Sequence, residues 1–198
     1  MSLLLETIKL ENGKLVNLKY HNQRFNRARR ELFSLPELDL ADLIHIPEDC
    51  QNGTYRCRIL YEQKILKVEF IPHHPRTINS LRVVHDDTIE YSYKFADRLH
   101  LQKLYNQRGD ADEIIIVKNG IVTDCFIGNL VFLEGKNWLT PTTPLLKGTQ
   151  RQKLLDNGLI LEAKITEKDL MKFQIVGIIN VFYNLENLPL IPVGQITT

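Results

Sequence analysis

Short apolar runs alternate with clusters of turn formers along the chain, and the spacing of the apolar positions changes from segment to segment. Residues 5–10 and 15–18 are apolar-rich and joined by Glu11-Asn12-Gly13-Lys14, where Asn-Gly supplies the positive φ angles of a tight turn. The chain therefore opens as a β-hairpin. Residues 21–33 (HNQRFNRARRELF) lack Gly and Pro and are rich in helix formers, which predicts a polar helix stopped before Leu35-Pro36. Residues 54–61 and 65–70 are rich in β-branched and aromatic side chains, and Glu62-Gln63-Lys64 is short enough to pair them antiparallel. Residues 71–80 (IPHHPRTINS) break the pattern with two prolines and read as a linker, dividing residues 1–77 from 78–198 as two α+β domains. Beyond it the pattern predicts a strand at 81–84, a helix at 95–106, and a hairpin of 113–117 with 121–123 across Asn119-Gly120. A second hairpin, 130–133 with 138–140, a helix at 149–156, a strand at 160–165, a helix at 167–173 and a strand at 175–182 complete the chain. This order predicts an α+β fold with mixed sheets and flanking helices, not a doubly wound parallel sheet.

Composition narrows the function classes. A chain of 198 residues with 43% hydrophobic and 25% charged side chains has the balance of a globular protein, which excludes a disordered tail, a fibre or a disulfide-stapled miniprotein. Lys and Arg total 25 against 24 Asp and Glu, so no overall field favours nucleic acid or an anionic membrane, and any anion site must be local. Cys50, Cys57 and Cys125 are odd in number and lack metal-ligand spacing, which fits a reducing cytoplasm. The opening Met1-Ser2-Leu3-Leu4-Leu5 meets Glu6 at once and has no basic flank, so neither a signal peptide nor a membrane span is expected.

Several local features could carry chemistry. Lys94 sits among Tyr91, Tyr93 and Phe95, where desolvation would disfavour the ammonium and make the amine nucleophilic; the alternative is a lysine that snorkels past the rings to water. Asp124 enters an apolar stretch ending in Gly128, so its carboxylate would be half buried and in need of a cation or a protonated heterocyclic nitrogen, unless it bonds only turn amides. Leu146-Lys147-Gly148-Thr149-Gln150-Arg151 offers helix-start amides and a hydroxyl to a phosphate, or simply a helix cap, and is no Walker loop. Arg24, Arg27, Arg29 and Arg30 spread around one helix, leaving one or two to meet a specific anion. As a nucleic-acid surface, the rival reading outside the enzymes, that helix is weak. Arg56 and Arg58 share a strand face and call for carboxylates, either of a substrate or of Glu62 or Glu69. His73 and His74 diverge in a Pro-bounded linker, so no metal site is expected.

Together, Glu6-Thr7-Ile8-Lys9, His21-x-x-Arg24, Lys94, Asn119-Gly120-Ile121-Val122-Thr123-Asp124, Gly128-Asn129-Leu130-Val131-Phe132 and Leu146-Lys147-Gly148-Thr149-Gln150-Arg151 span nearly the whole chain in one order. In that order the chain resembles the fold-type IV pyridoxal-phosphate enzymes: class IV aminotransferases of branched-chain and D-amino-acid type, and aminodeoxychorismate lyase. The resemblance implies a two-part, D-amino-acid-aminotransferase-like fold that binds pyridoxal 5'-phosphate between its parts, and a homodimer. It makes Lys94 the residue bonded to the cofactor aldehyde and the carrier of the substrate proton. Arg24, Gly148, Thr149 and Gln150 would bind the phosphate, with Asn184 as a further contact, and Asp124 would face the pyridine nitrogen. Arg56 and Arg58 tilt the expected substrate toward an acidic amino compound. The reading preferred here is aminodeoxychorismate lyase chemistry, eliminating pyruvate to leave 4-aminobenzoate; the alternatives are an amino-acid aminotransferase and a pyridoxal-phosphate-binding protein of little turnover. Three departures stand out: Asp124 where the family carries Glu, an opening at the Glu-Thr-Ile strand without the aromatic-bearing hairpin before it, and a Tyr61 to Lys64 turn shorter than the carboxylate-holding loop of D-amino-acid aminotransferases.

Overall fold

β1 (Leu4–Glu11) and β2 (Lys14–Leu15) form the expected opening hairpin, with Asn12 at φ 46° and Gly13 at φ 73° in the turn. The computed structural model describes residues 3–198; Met1 and Ser2, the start of the opening run, lie outside the described residues. The chain forms two units, one comprising the residues up to Pro75 together with Tyr93–Asp97, the other Arg76–Ser92 together with Arg98–Thr198.

In the first unit, β1 pairs along its whole length with β3 (Thr54–Tyr61), which pairs with β4 (Ile65–Pro72), giving the antiparallel order β2-β1-β3-β4. Side chains alternate across a strand, so Leu4, Glu6, Ile8 and Leu10 point inward from β1, and Cys57, Ile59 and Tyr61 from β3. α1 (Leu18–Phe33) covers this face, burying Phe25 and Ala28 against Leu4, Ile8, Cys57, Ile59 and Tyr61. Burial of a ring the size of Phe25 contributes about 2 kcal/mol or more. α1 begins three residues before the expected start because Asn17, at φ 59°, turns the chain out of the hairpin and ends the strand expected over 15–18. A one-turn helix, α2 (Leu40–Leu43), is capped by Asp39, whose carboxylate accepts from Ala41 N at 2.8 Å. It is too short for periodicity to reveal.

β2 covers only Leu10 and Glu11 on the free edge of β1. The other end of that edge takes up the Tyr93–Asp97 segment: Leu5 N donates to Lys94 O (2.8 Å), Ala96 N donates to Leu3 O (2.9 Å), and Leu4 bridges Phe95. The sequence assigns Lys94 to the second part and starts a helix at residue 95. The backbone instead pairs with β1 there, and the helix, α3 (Leu99–Tyr105), starts four residues later.

The second unit holds β5 (Leu81–His85), β6 (Glu113–Lys118), β7 (Ile121–Val122), β8 (Asn129–Glu134), β9 (Asn137–Pro141), β10 (Leu161–Ala163), β11 (Ile175–Ile179), β12 (Leu190–Pro192) and β13 (Ile196–Thr197). They build two mixed sheets, β13-β5-β6-β7 and β10-β9-β8-β11-β12. Leu81, Val83, Ile115 and Val117 of the first meet Leu130, Phe132, Val176 and Ile178 of the second in one core. α4 (Thr149–Asp156), where the sequence places it, packs Leu154 with Val131, Ile160 and Ile179 on the other face. The expected helix over 167–173 is a 3-10 turn, Glu167–Lys172, closed by a capping box of Thr166 and Asp169. The last long strand stops at Ile179 because Asn180 Oδ1 accepts from Phe182 N and Tyr183 N, bending the chain away. The architecture is the expected α+β one. Among the described residues no helix is long and apolar enough to cross a membrane.

Candidate functional site

The first unit gathers charge under its sheet. Glu6 is fully buried on the inner face of β1, and α1 sets His21 and Arg24, one turn apart, against it. Arg24 forks onto the carboxylate through Nε to Oε1 (2.8 Å) and Nη2 to Oε2 (2.6 Å), while His21 Nδ1 lies 2.7 Å from Oε2. Burial opposes the charge on Glu6, but the Arg24 guanidinium and the hydrogen bonds from Arg24 and His21 outweigh it and hold the carboxyl down to about 2. His21 is pushed below its ordinary 6.5, chiefly by burial, with the Arg24 and Lys94 charges adding to that and Glu6 opposing it. At neutral pH it is therefore an uncharged donor to Glu6.

Lys94 is half-buried, and its charge reaches His21, so its ammonium lies near this cluster; the flanking Tyr93 and Phe95 rings pack edge-on with centroids 6.0 Å apart. Tyr93 is itself fixed, donating to Glu31 Oε2 at 2.6 Å under the Arg27 guanidinium. The Nε and Nη2 edge of Arg24 is thus committed to Glu6. Arg56 and Arg58 project from the opposite face of the sheet, beside Lys9 and Thr7. Arg58 Nη1 lies 3.4 Å from Glu69 Oε2, so of the two carboxylates weighed from sequence Glu69 is its partner.

The second unit builds a different arrangement around Asp124. Only 5% of this residue is exposed. Asn129 Nδ2 donates to Oδ1 (2.7 Å) and Leu146 N donates to Oδ2 (2.9 Å). Burial nevertheless pushes the carboxyl up to about 7, with the Leu146 and Asn129 bonds and the Arg151 charge acting against it. An acid so balanced is held ionised by one further cation, which is the chemistry a protonated ring nitrogen offers; on this ground Asp124 fits a pyridine-type partner. Arg151 cannot be that partner, since it donates to Pro141 O (2.7 Å), Glu162 Oε1 (2.6 Å) and Thr140 Oγ1 (3.3 Å), fastening α4 to β9 and β10.

Directly after Leu146 the chain enters α4. Gly148 is its N-cap, so no side chain caps the helix from that position and Thr149 is the first residue of its first turn. Thr149 and Gln150 are buried in the first turn, where amides have no carbonyl a turn before them and attract anions. A methyl group on Gly148 would overlap Asn129 Oδ1. Asn184 is exposed, and its Oδ1 accepts from Glu186 N (2.9 Å) to close a local turn; the network around Asp124 does not include it.

Four residues of this region received no role from the sequence. Asn129 links Asp124 to the Leu146 peptide, and its one signal is a polar residue heading an apolar strand. Asn180 ties Ile127 O (3.2 Å) to the turn after β11. Glu113, fully buried at the start of β6, accepts from Ile114 N (2.9 Å) and Phe126 N (3.1 Å), and burial pushes it up to about 7. Arg98 donates to Phe126 O and lies 4.1 Å over the Phe126 ring, so both ends of the Phe126 peptide are held two residues beyond Asp124. All three cysteines are free and buried, and among the described residues no cluster of His, Cys, Asp and Glu is arranged to hold a metal ion.

A family model for class IV amino-transferases matches residues 3–185. An uncharacterised protein of Haemophilus influenzae is 43% identical over 185 residues, which is 92% of this chain and 98% of that one. A solved structure described as a candidate 4-amino-4-deoxychorismate lyase of Haemophilus somnus is similar with 36% identity and a TM-score of 0.87, covering 93% of this chain and 98% of that chain. A hypothetical aminotransferase of Mycobacterium tuberculosis, solved in its PLP-bound form, has a TM-score of 0.78 over 96% of this chain and 80% of that chain; at 19% identity that likeness concerns the fold.

Proposed function

Because the chain belongs to the class IV aminotransferase family, whose members are pyridoxal-5'-phosphate-dependent enzymes, we propose that it acts as an aminodeoxychorismate lyase, converting 4-amino-4-deoxychorismate into 4-aminobenzoate and pyruvate. When bound, the cofactor draws electrons through its protonated ring from the carbon that bears the substrate amino group. In the first unit, Lys94 Nζ would hold the cofactor aldehyde carbon and move the substrate proton, and Arg24, aimed by Glu6, would bind phosphate. In the second, Asp124 would keep the ring nitrogen protonated, and Gly148, Thr149 and Gln150 would receive the phosphate at the start of α4.

The observation that carries this reading is the buried Asp124 carboxylate, bonded at both oxygens within one network that ends at the N-terminus of α4. One fact supports the lyase over the transaminase: the Haemophilus somnus protein, described as a candidate 4-amino-4-deoxychorismate lyase, is similar over nearly its full length. Arg56 and Arg58 lie on the sheet face opposite the Glu6 cluster and lend it no support. The quaternary state in this reading is a homodimer, checked by light scattering.

The experiment is a set of absorption spectra and product assays on purified protein loaded with pyridoxal phosphate. Pyruvate and 4-aminobenzoate formed in equal amounts from 4-amino-4-deoxychorismate, and loss of both products and of the cofactor band in Lys94→Ala, are the expected results. Transfer of an amino group from an amino acid to a keto acid, with no pyruvate from 4-amino-4-deoxychorismate, would overturn the lyase in favour of an aminotransferase. A stable cofactor band with neither reaction would leave a cofactor-binding protein.

A further inference from the structure

Asn129 occupies the first position of β8, fixed by its register opposite Ile179 and by a bridge to Asp124. It is 5% exposed, and its amide nitrogen spends both protons, one on Asp124 Oδ1 (2.7 Å) and one on Leu146 O (2.9 Å). Leu146 N returns to Asp124 Oδ2 (2.9 Å), so carboxylate, amide and peptide close a ring. The orientation of the amide is dictated by its neighbours. Turned over, Oδ1 would face a carboxylate and a carbonyl, two acceptors with no proton between them. In the orientation present, Oδ1 faces the Gly148 backbone so closely that any side chain there would collide with it.

We propose that Asn129 is a positioning residue that locks the Asp124 carboxylate to the Leu146-Lys147-Gly148 turn, so that the group meeting the ring nitrogen and the helix start meeting the phosphate are held in one register. This rests on the cofactor reading above. The side-chain chemistry required is narrow. Two donors must leave one planar nitrogen at the reach of a single methylene; Gln adds a carbon where Gly148 leaves no room, Asp offers no donor when ionised, and Ser offers one. Removing the Asn129 donor, while the Leu145 and Leu146 amides stay, would weaken the ionised form of Asp124 and take from Leu146 O the amide it accepts from. The remaining charged or titratable influences on Asp124 are Arg151 on α4, which favours the carboxylate, and the neighbouring Cys125, itself pushed well up by burial.

The test compares wild type, Asn129→Ala, Asn129→Ser and Gly148→Ala with a core variant of the same unit, Leu81→Ala, chosen for a similar loss of Tm. Two quantities are read on each: the ratio of affinities for pyridoxal phosphate and for pyridoxal, which lacks the phosphate, and the pH midpoint of the bound cofactor's absorption change. Asn129→Ala is expected to lower the affinity ratio at least tenfold and move the midpoint by about one pH unit, Asn129→Ser to do half as much, and Leu81→Ala to move neither. In the double variant with Asn129→Ala, Gly148→Ala should cost no further affinity, because its methyl group then enters the space Oδ1 vacates. An Asn129→Ala protein that changes only in Tm, or in one readout without the other, overturns the proposal. A wild-type protein that binds no pyridoxal phosphate overturns the cofactor reading itself, a result distinct from either.

Discussion

Glu6→Gln removes the one negative charge at the centre of the first unit's buried cluster and keeps the shape of the side chain. The carboxyl is held near 2 against an ordinary 4.5, a gap worth about 3 kcal/mol at neutral pH. The substitution also strips the Arg24 side chain, 10% exposed, of its forked partner, so the expected loss at pH 7 is about 3–5 kcal/mol. The sign follows from linkage. A carboxyl whose folded value lies below its unfolded one contributes stability that is complete above about pH 5 and is lost as pH falls toward 2. The difference between wild type and variant should therefore be flat from pH 7 to 5 and shrink below that. His21, buried and held below 6.5, penalises the fold of both proteins as pH drops under 6.5, so it bends both curves without creating the difference. Urea titrations at pH 7, 5 and 3.5 measure it. Far-UV ellipticity is the suitable probe, since the single tryptophan, Trp138, lies in the other unit. A loss under about 1 kcal/mol at pH 7, or a difference unchanged between pH 5 and 3.5, would refute the assignment of that energy to an ionised Glu6.

Glu113 works in the opposite direction: its folded value near 7 lies above the usual 4.5, so as pH rises through that window the buried charge costs up to about 3 kcal/mol. Glu113→Gln should therefore stabilise the protein at pH 8 and leave it unchanged near pH 4.5, as read by thermal melts; equal effects at both pH values would contradict the burial argument. A methyl group on Gly128 would overlap the Ile179 carbonyl, backbone that β11 pairing prevents from moving, so Gly128→Ala should cost about 1–3 kcal/mol or more in urea. At Gly135, where space is open and only the φ of 61° resists, alanine should cost about 1 kcal/mol, and an equal loss at both sites would count against the steric reading.

Much of this protein is legible in its chain order. Asn-Gly pairs set both tight hairpins, β-branched runs gave β3 its limits to the residue, and Gly148-Thr149 marked the start of α4, because turn and cap chemistry act within a few residues. His21 and Arg24 are spaced to share a helix face, and Arg56 and Arg58 to share a strand face, so sequence spacing alone groups each pair. What it does not say is where those faces point. The partner of Arg24 on the carboxylate is Glu6, from a strand eighteen positions earlier, and only the pairing of helix against sheet brings them together. Lys94 falls after the linker in sequence, yet its backbone completes the edge of β1, since β2 is too short to cover it. Asn129 and Glu113 look like ordinary polar punctuation around apolar strands until burial commits their hydrogen bonds. Local propensity is written in neighbours along the chain, whereas the ionisation of Glu6, Asp124 and Glu113 depends on which groups from distant positions exclude water around them, and that is decided by the fold.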